Sequence, residues 1–245
     1  LISNVRLSTN GENLTIQRYN WINPEVIEIF GVVKNPSSLK IPVSSMRRYY
    51  ISSVDKALKN SGITVSGTSY SSKSVPSDAS LITSITNPIT GVLPGILQDS
   101  NNLYAESVFK LAAAKKYSGT GTDYAASEMF KEFYDKNHVK TDSIVIKDGC
   151  GISRNNLFSA DWITDALSEI YKAKDYMAQP GDGTLSSRLF ELRGNAYLKT
   201  GSLSNISAIA GYVQSQDGHV YAVAILTQNF NVPQKEVKNF EDEII

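Results

Sequence analysis

The sequence predicts a mixed protein of the α/β (α+β) class, and three observations carry that prediction. Residues 1–43 read almost entirely as strands. From Asn87-Pro88 onward, helical and strand-like periodicities alternate. Near the C-terminus, Ser207 to Val213, then Asp217-Gly218, then His219 to Leu226 give the clearest hairpin signal in the chain. Asp-Gly between two β-rich runs is a strong hairpin signal, because both residues accept the left-handed backbone of a tight turn.

Within the β-rich stretch, Asn4 to Leu7 and Asn13 to Arg18 alternate with period two around Asn10-Gly11, a second hairpin candidate. Val26 to Val33 and Leu39 to Val43 read as two more strands. Ser44 or Ser45 then caps a helix to about Leu58 with Met46, Tyr50, Val54 and Ala57 on one face, and Gly62 stops it. Ile63 to Val65 is a short strand. The Ser-rich run from Thr68 to Ser80 is the best linker, which places one unit at residues 1–70 and a second at residues 71–245.

Leu81 to Ile85 reads as a strand, and a short helix ends at Ile96-Leu97. Leu103 to about Lys116 is a strong helix, with Tyr104, Val108, Leu111 and Ala112 sharing a face. Thr122 caps a helix to about Lys136. Ser143 to Lys147 reads as a buried strand entering Asp148-Gly149-Cys150-Gly151. Ser159 caps a helix whose apolar face is Trp162, Ile163, Ala166, Leu167 and Ile170. Asp182-Gly183-Thr184 opens a short helix through Leu192. The last helix follows Pro233 and carries Val237, Phe240 and Ile244.

Composition narrows the function classes. Over 245 residues, 24 Lys and Arg balance 24 Asp and Glu, which argues against a nucleic-acid footprint or a polybasic membrane surface. No apolar run approaches the roughly 20 residues that span a bilayer. A single cysteine, Cys150, excludes an internal disulfide and a cysteine metal cluster. With only His138 and His219, a zinc site or a histidine relay has little support, so no metal is expected. The chain opens on strand-like sequence at Leu1 without an initiator Met, which reads as a mature, cleaved or engineered product.

The stretch richest in chemistry is Tyr197-Leu198-Lys199-Thr200-Gly201-Ser202, an apolar strand running into a cation, a hydroxyl and a glycine. Lys199 supplies positive field, Thr200 a directional hydroxyl, and Gly201 lets a ligand approach the backbone. An edge-strand lysine before a turn would look the same. Ser100-Asn101-Asn102 lies between two helices and could equally be an Asx turn and helix cap. Taken together they resemble two of the three motifs, Ser-x-x-Lys, Ser-Asp-Asn and Lys-Thr-Gly, that serine β-lactamases and penicillin-binding proteins share.

The flanking residues resemble one group of these. Leu97 to Glu106 is similar to the second motif of the D-alanyl-D-alanine carboxypeptidase/endopeptidases known as class C low-molecular-mass penicillin-binding proteins. Asp148-Gly149-Cys150-Gly151-Ile152-Ser153-Arg154 resembles that family's Asp-Gly-Ser-Gly-Leu-Ser-Arg stretch, with Cys150 where Ser is usual. Gly181 to Leu185 with Arg188, and Lys199 to Leu203 with Ala210-Gly211-Tyr212, resemble its later segments. The resemblance implies a transpeptidase-like fold, an antiparallel sheet flanked by helices, here partial, with part of a β-rich accessory domain.

It also implies roles. Ser100 would relay a proton to the leaving amine, and Asn102 would bind the substrate amide and the catalytic lysine. Lys199 and Thr200 would hold the terminal carboxylate, and the Ser202 N–H, beside Gly201, would form half of an oxyanion hole. Peptidoglycan stem peptides and β-lactams are the implied partners, and a periplasmic or extracytoplasmic site is the implied location.

The first motif is missing. Ser37-Ser38-Leu39-Lys40, Ser53-Val54-Asp55-Lys56 and Ser107-Val108-Phe109-Lys110 match Ser-x-x-Lys formally. Pro42 forbids a helix through the first, and the others lie inside helices of other purpose. The expectation is therefore the C-terminal part of a longer enzyme, inactive alone. A non-catalytic peptidoglycan-binding protein that keeps the cleft, or less readily a β-lactamase or esterase on this fold, fits the same residues.

Overall fold

The structure, a computed structural model, describes residues 5–8, 15–18, 27–30, 43, 45–67, 77–81 and 83–245. The chain divides into two compact units, Leu1–Ser80 and Leu81–Ile245. In the first, strands β1 (Val5–Ser8), β2 (Thr15–Arg18) and β3 (Ile27–Phe30) form a sheet in the order β1-β3-β2. β1 runs parallel to β3 and β2 antiparallel to it, so the hairpin expected around Asn10-Gly11 is not a β1–β2 pair. The central place, with both edges hydrogen-bonded, goes to the run carrying Ile27 and Ile29. Helix α1 (Met46–Asn60) starts at Ser45, whose hydroxyl accepts from the Arg48 N–H at 3.3 Å, and stops before Gly62 at φ 78°.

Other expectations changed or fall outside. Ile63 to Val65 forms no ladder, nor do the described residues of Leu81 to Ile85, because a short extended run without a partner strand leaves its backbone to water. Leu39 to Val43 lies outside the described residues except for Val43, and the Ser-rich run does so as far as position 76.

The second unit is built on an antiparallel sheet of β4 (Ala196–Leu203), β5 (Ile206–Gln214) and β6 (Val220–Gln228), in that order. Asp217-Gly218 makes the β5–β6 turn, with Gly218 at φ 87°. Gly211 has to be glycine: a Cβ there would lie 2.1 Å from the Tyr197 carbonyl of β4. Ser204-Asn205 closes β4 onto β5, with Asn205 at φ 59°.

Alternation sends the two faces of the sheet to different cores. Leu198, Ile209 and Val213 pack with Ala178, Leu185 and Leu189 on one face. Tyr212 packs with Leu167 and Met177 on the other, beside Tyr197 and Ala210. On that second side lie helices α2 (Ile89–Leu97), α3 (Asn102–Lys116), α4 (Asp123–Lys136) and α5 (Ala160–Glu169). Trp162 of α5 packs with Phe130 and Tyr134 of α4 and with Ile144 and Ile146 in a third cluster.

Thr122 and Ser159 cap α4 and α5 through their hydroxyls. The expected strand from Ser143 to Lys147 shrinks to one bridge, Val145 to Leu157. The helix expected from Asp182 to Leu192 breaks into two 3-10 turns, Gly183–Leu185 and Phe190–Leu192, with Leu189 between them at φ 55° and both Leu185 and Leu189 packed in the cluster under the sheet. On α3 the sealed residue is Ala113, while Tyr104, Leu111 and Ala112 are exposed. On α6 (Gln234–Ile244), Val237 and Glu241 are buried and Phe240 and Ile244 exposed. Among the described residues no helix is long and apolar enough to cross a membrane.

Candidate active site

Ser100 sits in the tight turn between α2 and α3, and the turn is built by backbone. The Gly95 carbonyl accepts from the Asn101 N–H at 2.9 Å, and Tyr104 packs onto Gly95, where a Cβ would lie 2.9 Å from the ring. Ser100 adopts a left-handed conformation at φ 56°, which costs a non-glycine residue roughly 1 kcal/mol. Asn101 is the α3 cap, its side-chain oxygen accepting from the Tyr104 N–H at 3.2 Å. The capping role thus falls to Asn101, while Ser100 and the exposed Asn102 remain on either side of it.

Lys199 leaves β4 on the same face as Ala210 and Tyr212, toward the helices. Its Nζ donates to the Ser100 hydroxyl at 2.6 Å and also to the carbonyl of Thr200. Two motifs that lie far apart in sequence are therefore in direct contact. Burial alone lowers the Lys199 ammonium from 10.5 to about 8, so a sizeable neutral fraction exists near physiological pH. At this separation the neutral amine can accept a proton from the hydroxyl, and the ammonium can return one to it.

β4 is an edge strand, and its free edge faces outward from the sheet. The Leu198 N–H donates to the Ala178 carbonyl at 2.8 Å, away from β5. Because backbone groups alternate along an antiparallel strand, Thr200 and Ser202 also direct their N–H and C=O to that free edge. The Thr200 side chain shares its strand face with Leu198, opposite to Lys199. Gly201 is exposed and would meet nothing nearer than 3.8 Å with a Cβ, so its backbone is open to close approach.

Segments quoted from the sequence frame this pair. The Thr184 N–H donates to the Gln98 carbonyl at 3.1 Å, and a Cβ on Gly183 would lie 2.6 Å from that same oxygen. The 183–185 turn thereby braces the end of α2, two residues before Ser100. Arg188 closes a half-buried cluster with Asp242 at 2.7 Å and Glu241 at 3.2 Å, tying that turn region to α6. Asp148 folds its own loop, accepting from the N–H groups of Gly151 and Ser153 at 2.6 Å each and from the Asn156 amide at 3.0 Å. Glu106 of α3 accepts from the Gly149 N–H at 2.7 Å and pairs with Lys110.

Glu106, Asp148 and Cys150 bring potential metal donors within 4.8 Å of one another, but the two carboxylates are already engaged by these donors. Burial pushes the Cys150 thiol up, away from nucleophilic chemistry. Of the formal Ser-x-x-Lys pairs, Ser107 with Lys110 does not supply a base either. Lys110 is held by Asp123 and Glu106, which raise it far above its ordinary value. Ser53 donates to the Tyr49 carbonyl on an exposed face of α1. Ser37 and Lys40 lie outside the described residues.

Sequence reasoning passed over Glu106 and the Arg154 contact described below. The i,i+4 spacing of Glu106 and Lys110 was the available signal for the first.

Relatives share this architecture. A D-alanyl-D-alanine carboxypeptidase of Actinomadura sp. (strain R39) is 29% identical over 197 residues, 73% of this chain and 36% of the relative. The D-alanyl-D-alanine carboxypeptidase DacB of Haemophilus influenzae is 23% identical over 83% of this chain and 45% of its own length. The crystal structure of penicillin binding protein 4 (dacB) from Haemophilus influenzae superposes with a TM-score of 0.80 at 21% identity, covering 99% of this chain and 58% of that one. A second structure of that protein is a complex with a β-lactam. The chain thus spans less than half the length of these two curated relatives, and the fold is that of penicillin-binding proteins. The family described as D-Ala-D-Ala carboxypeptidase 3 (S13) matches residues 23–245, and the chain belongs to it.

Proposed function

We propose that this chain forms one wall and the floor of the active site of a serine-type D-alanyl-D-alanine carboxypeptidase/endopeptidase, acting on peptidoglycan stem peptides and acylated by β-lactams. The observation that carries the reading is the 2.6 Å contact between Lys199 and Ser100 beside the open edge of β4. In the reaction a serine oxygen attacks the carbonyl carbon of the penultimate D-alanine, a C–O bond forms, and the C–N bond to the leaving D-alanine breaks. Ser100 donates its proton to that departing nitrogen and recovers one from the Lys199 ammonium, which in turn is reset by the nucleophile's proton. The substrate lies along the free edge of β4, its carbonyl oxygen on the Ser202 N–H and its terminal carboxylate near Lys199 and the Thr200 hydroxyl. One oxyanion donor of this kind is worth about 10²–10³ in rate. Asn102 orients the substrate amide.

The attacking serine is supplied by none of the described Ser-x-x-Lys pairs, which also suits a second reading, a peptidoglycan-binding protein without catalysis. We assign residues 1–70 to the C-terminal part of an accessory domain and place the protein outside the cytoplasm, as the family resemblance implies. Incubating the full gene product with a fluorescent penicillin separates the readings. Covalent labelling, lost in Lys199→Ala and strongly slowed in Ser100→Ala with the fold intact, supports the enzyme. Absence of any labelled serine would leave only the binding protein, and undiminished labelling of Lys199→Ala would remove Lys199 from the site.

A further inference from the structure

The cleft beside β4 is bridged at two places. One bridge is Lys199 to Ser100. The other lies past Ser202, where Arg154 Nη2 donates to the carbonyl of Ser204 at 2.7 Å, in the two-residue turn that joins β4 to β5. Arg154 projects from a loop that its own hydrogen bonds make stiff. Asp148 accepts from Gly151, Ser153 and Asn156, and the Asn156 side-chain oxygen accepts from the Lys147 N–H at 2.7 Å. Gly149 fastens that loop to Glu106 of α3, the helix that begins just after Ser100. An unbroken path of hydrogen bonds and helix therefore runs from the Ser100 turn, through α3 and the 147–156 loop, to the end of β4.

The β5 side of the same turn has other holds. The Asn205 carbonyl accepts from the Asn229 N–H at 2.9 Å, and that of Ile206 from the Gln234 amide at 3.2 Å. On the β4 side the corresponding hold is Arg154. Beneath, Leu203 and Ile206 face a groove of about 620 Å³ shared with Arg154, Phe109 and Leu157, so packing does little to fix the turn from below.

We propose that Arg154 is a positioning residue for acyl transfer. By holding the Ser204 carbonyl it fixes the path of the last residues of β4, and with it the direction of the Ser202 N–H two residues earlier. The inference rests on the assignment of that N–H as an oxyanion donor. Such a donor counts only when aimed at the developing charge, so a loosened turn lowers the acylation rate more than it weakens initial binding.

The test is stopped-flow acylation of the full gene product by a fluorescent penicillin, which resolves the noncovalent dissociation constant from the acylation rate constant. Arg154→Ala should lower the rate constant about tenfold or more, with the dissociation constant within about twofold and the melting temperature unchanged. Arg154→Lys keeps a donor and should recover most of the loss. Hydrogen exchange at residues 202–206 should be faster in Arg154→Ala. An unchanged rate constant, an unchanged exchange rate, or a rise in the dissociation constant alone would overturn the proposal, the last by making Arg154 a substrate contact. If the wild-type full gene product does not acylate while an established penicillin-binding protein labels under the same conditions, the reading of the site itself fails and this inference falls with it.

Discussion

Replacing Lys199 by Met should stabilise the protein at neutral pH and destabilise it in mild alkali. Burial lowers the Lys199 ammonium from 10.5 to about 8, and no carboxylate offsets that burial. A folded-state value below the unfolded one means that, between about 8 and 10.5, the unfolded chain binds the extra proton. The native state therefore carries the full cost below about 8 and sheds it as pH rises toward 10.5. At about 1.4 kcal/mol per pH unit the cost near pH 7 is about 3 kcal/mol, and near pH 9.5 it is down to about 1.4 kcal/mol. Methionine fills nearly the same volume without the charge. It also forfeits the hydrogen bonds to Ser100 and Thr200, about 1 kcal/mol each.

Lys199→Met should thus be more stable than wild type by about 1 kcal/mol at pH 7 and less stable by about 0.6 kcal/mol at pH 9.5. Urea unfolding followed by the fluorescence of Trp162, in a Trp21→Phe background, reads the unit that holds the site. Every other titrating group is common to both proteins, so the crossing belongs to Lys199. A constant gap between the two across that pH range would show that the ammonium is not desolvated, and the argument for a proton-passing lysine would go with it.

Three further outcomes follow from the surroundings of the site. Arg188→Ala strands the fully buried Glu241 carboxylate and should destabilise by about 3–5 kcal/mol at pH 7. Glu241→Gln added to Arg188→Ala removes the stranded charge and should restore part of the loss; urea midpoints check both. Gly183→Ala meets the Gln98 carbonyl at 2.6 Å from a backbone at φ 49°, and should cost about 2 kcal/mol or more by the same unfolding assay. Cys150, its thiol pushed up by burial, should be alkylated by iodoacetamide at pH 7.5 more slowly than free cysteine, and a fast reaction would contradict that burial.

What the sequence made legible were features written in adjacent residues. The Ser45, Thr122 and Ser159 caps announce α1, α4 and α5, since a cap needs only a hydroxyl three residues before an unpaired N–H. Asp217-Gly218 announced the β5–β6 hairpin for the same local reason. What failed depended on partners elsewhere. β1 and β2 look like a hairpin until β3 competes for the middle of the sheet. Asp182 to Leu192 looks helical, but the Thr184 N–H is taken by the Gln98 carbonyl and the run breaks again at Leu189, at φ 55°. On α3 and α6 hydrophobicity alone points to a stripe that keeps Val237 but misses Ala113 and Glu241, which are also sealed. Ala113 is small enough for close packing, and Arg188 supplies Glu241 with its counter-charge.

The site divides along the same line. Ser100 and Lys199 were legible because each stands in a motif whose neighbours have fixed duties: Asn101 caps the helix and Gly201 bares the strand. The parts that hold these motifs in register left little trace, because they end on backbone. The oxygens that receive the hydrogen bonds of Thr184, Arg154 and Leu198 are the carbonyls of Gln98, Ser204 and Ala178. Every residue has such a carbonyl, so nothing in those three names marks them as partners. A catalytic group must be one particular side chain, whereas its support can be any peptide bond in the right place. Substitutions at Gln98 or Ser204 that keep the main chain in place should therefore be mild, and those at Gly183 or Arg154, on the other side of the contact, should not.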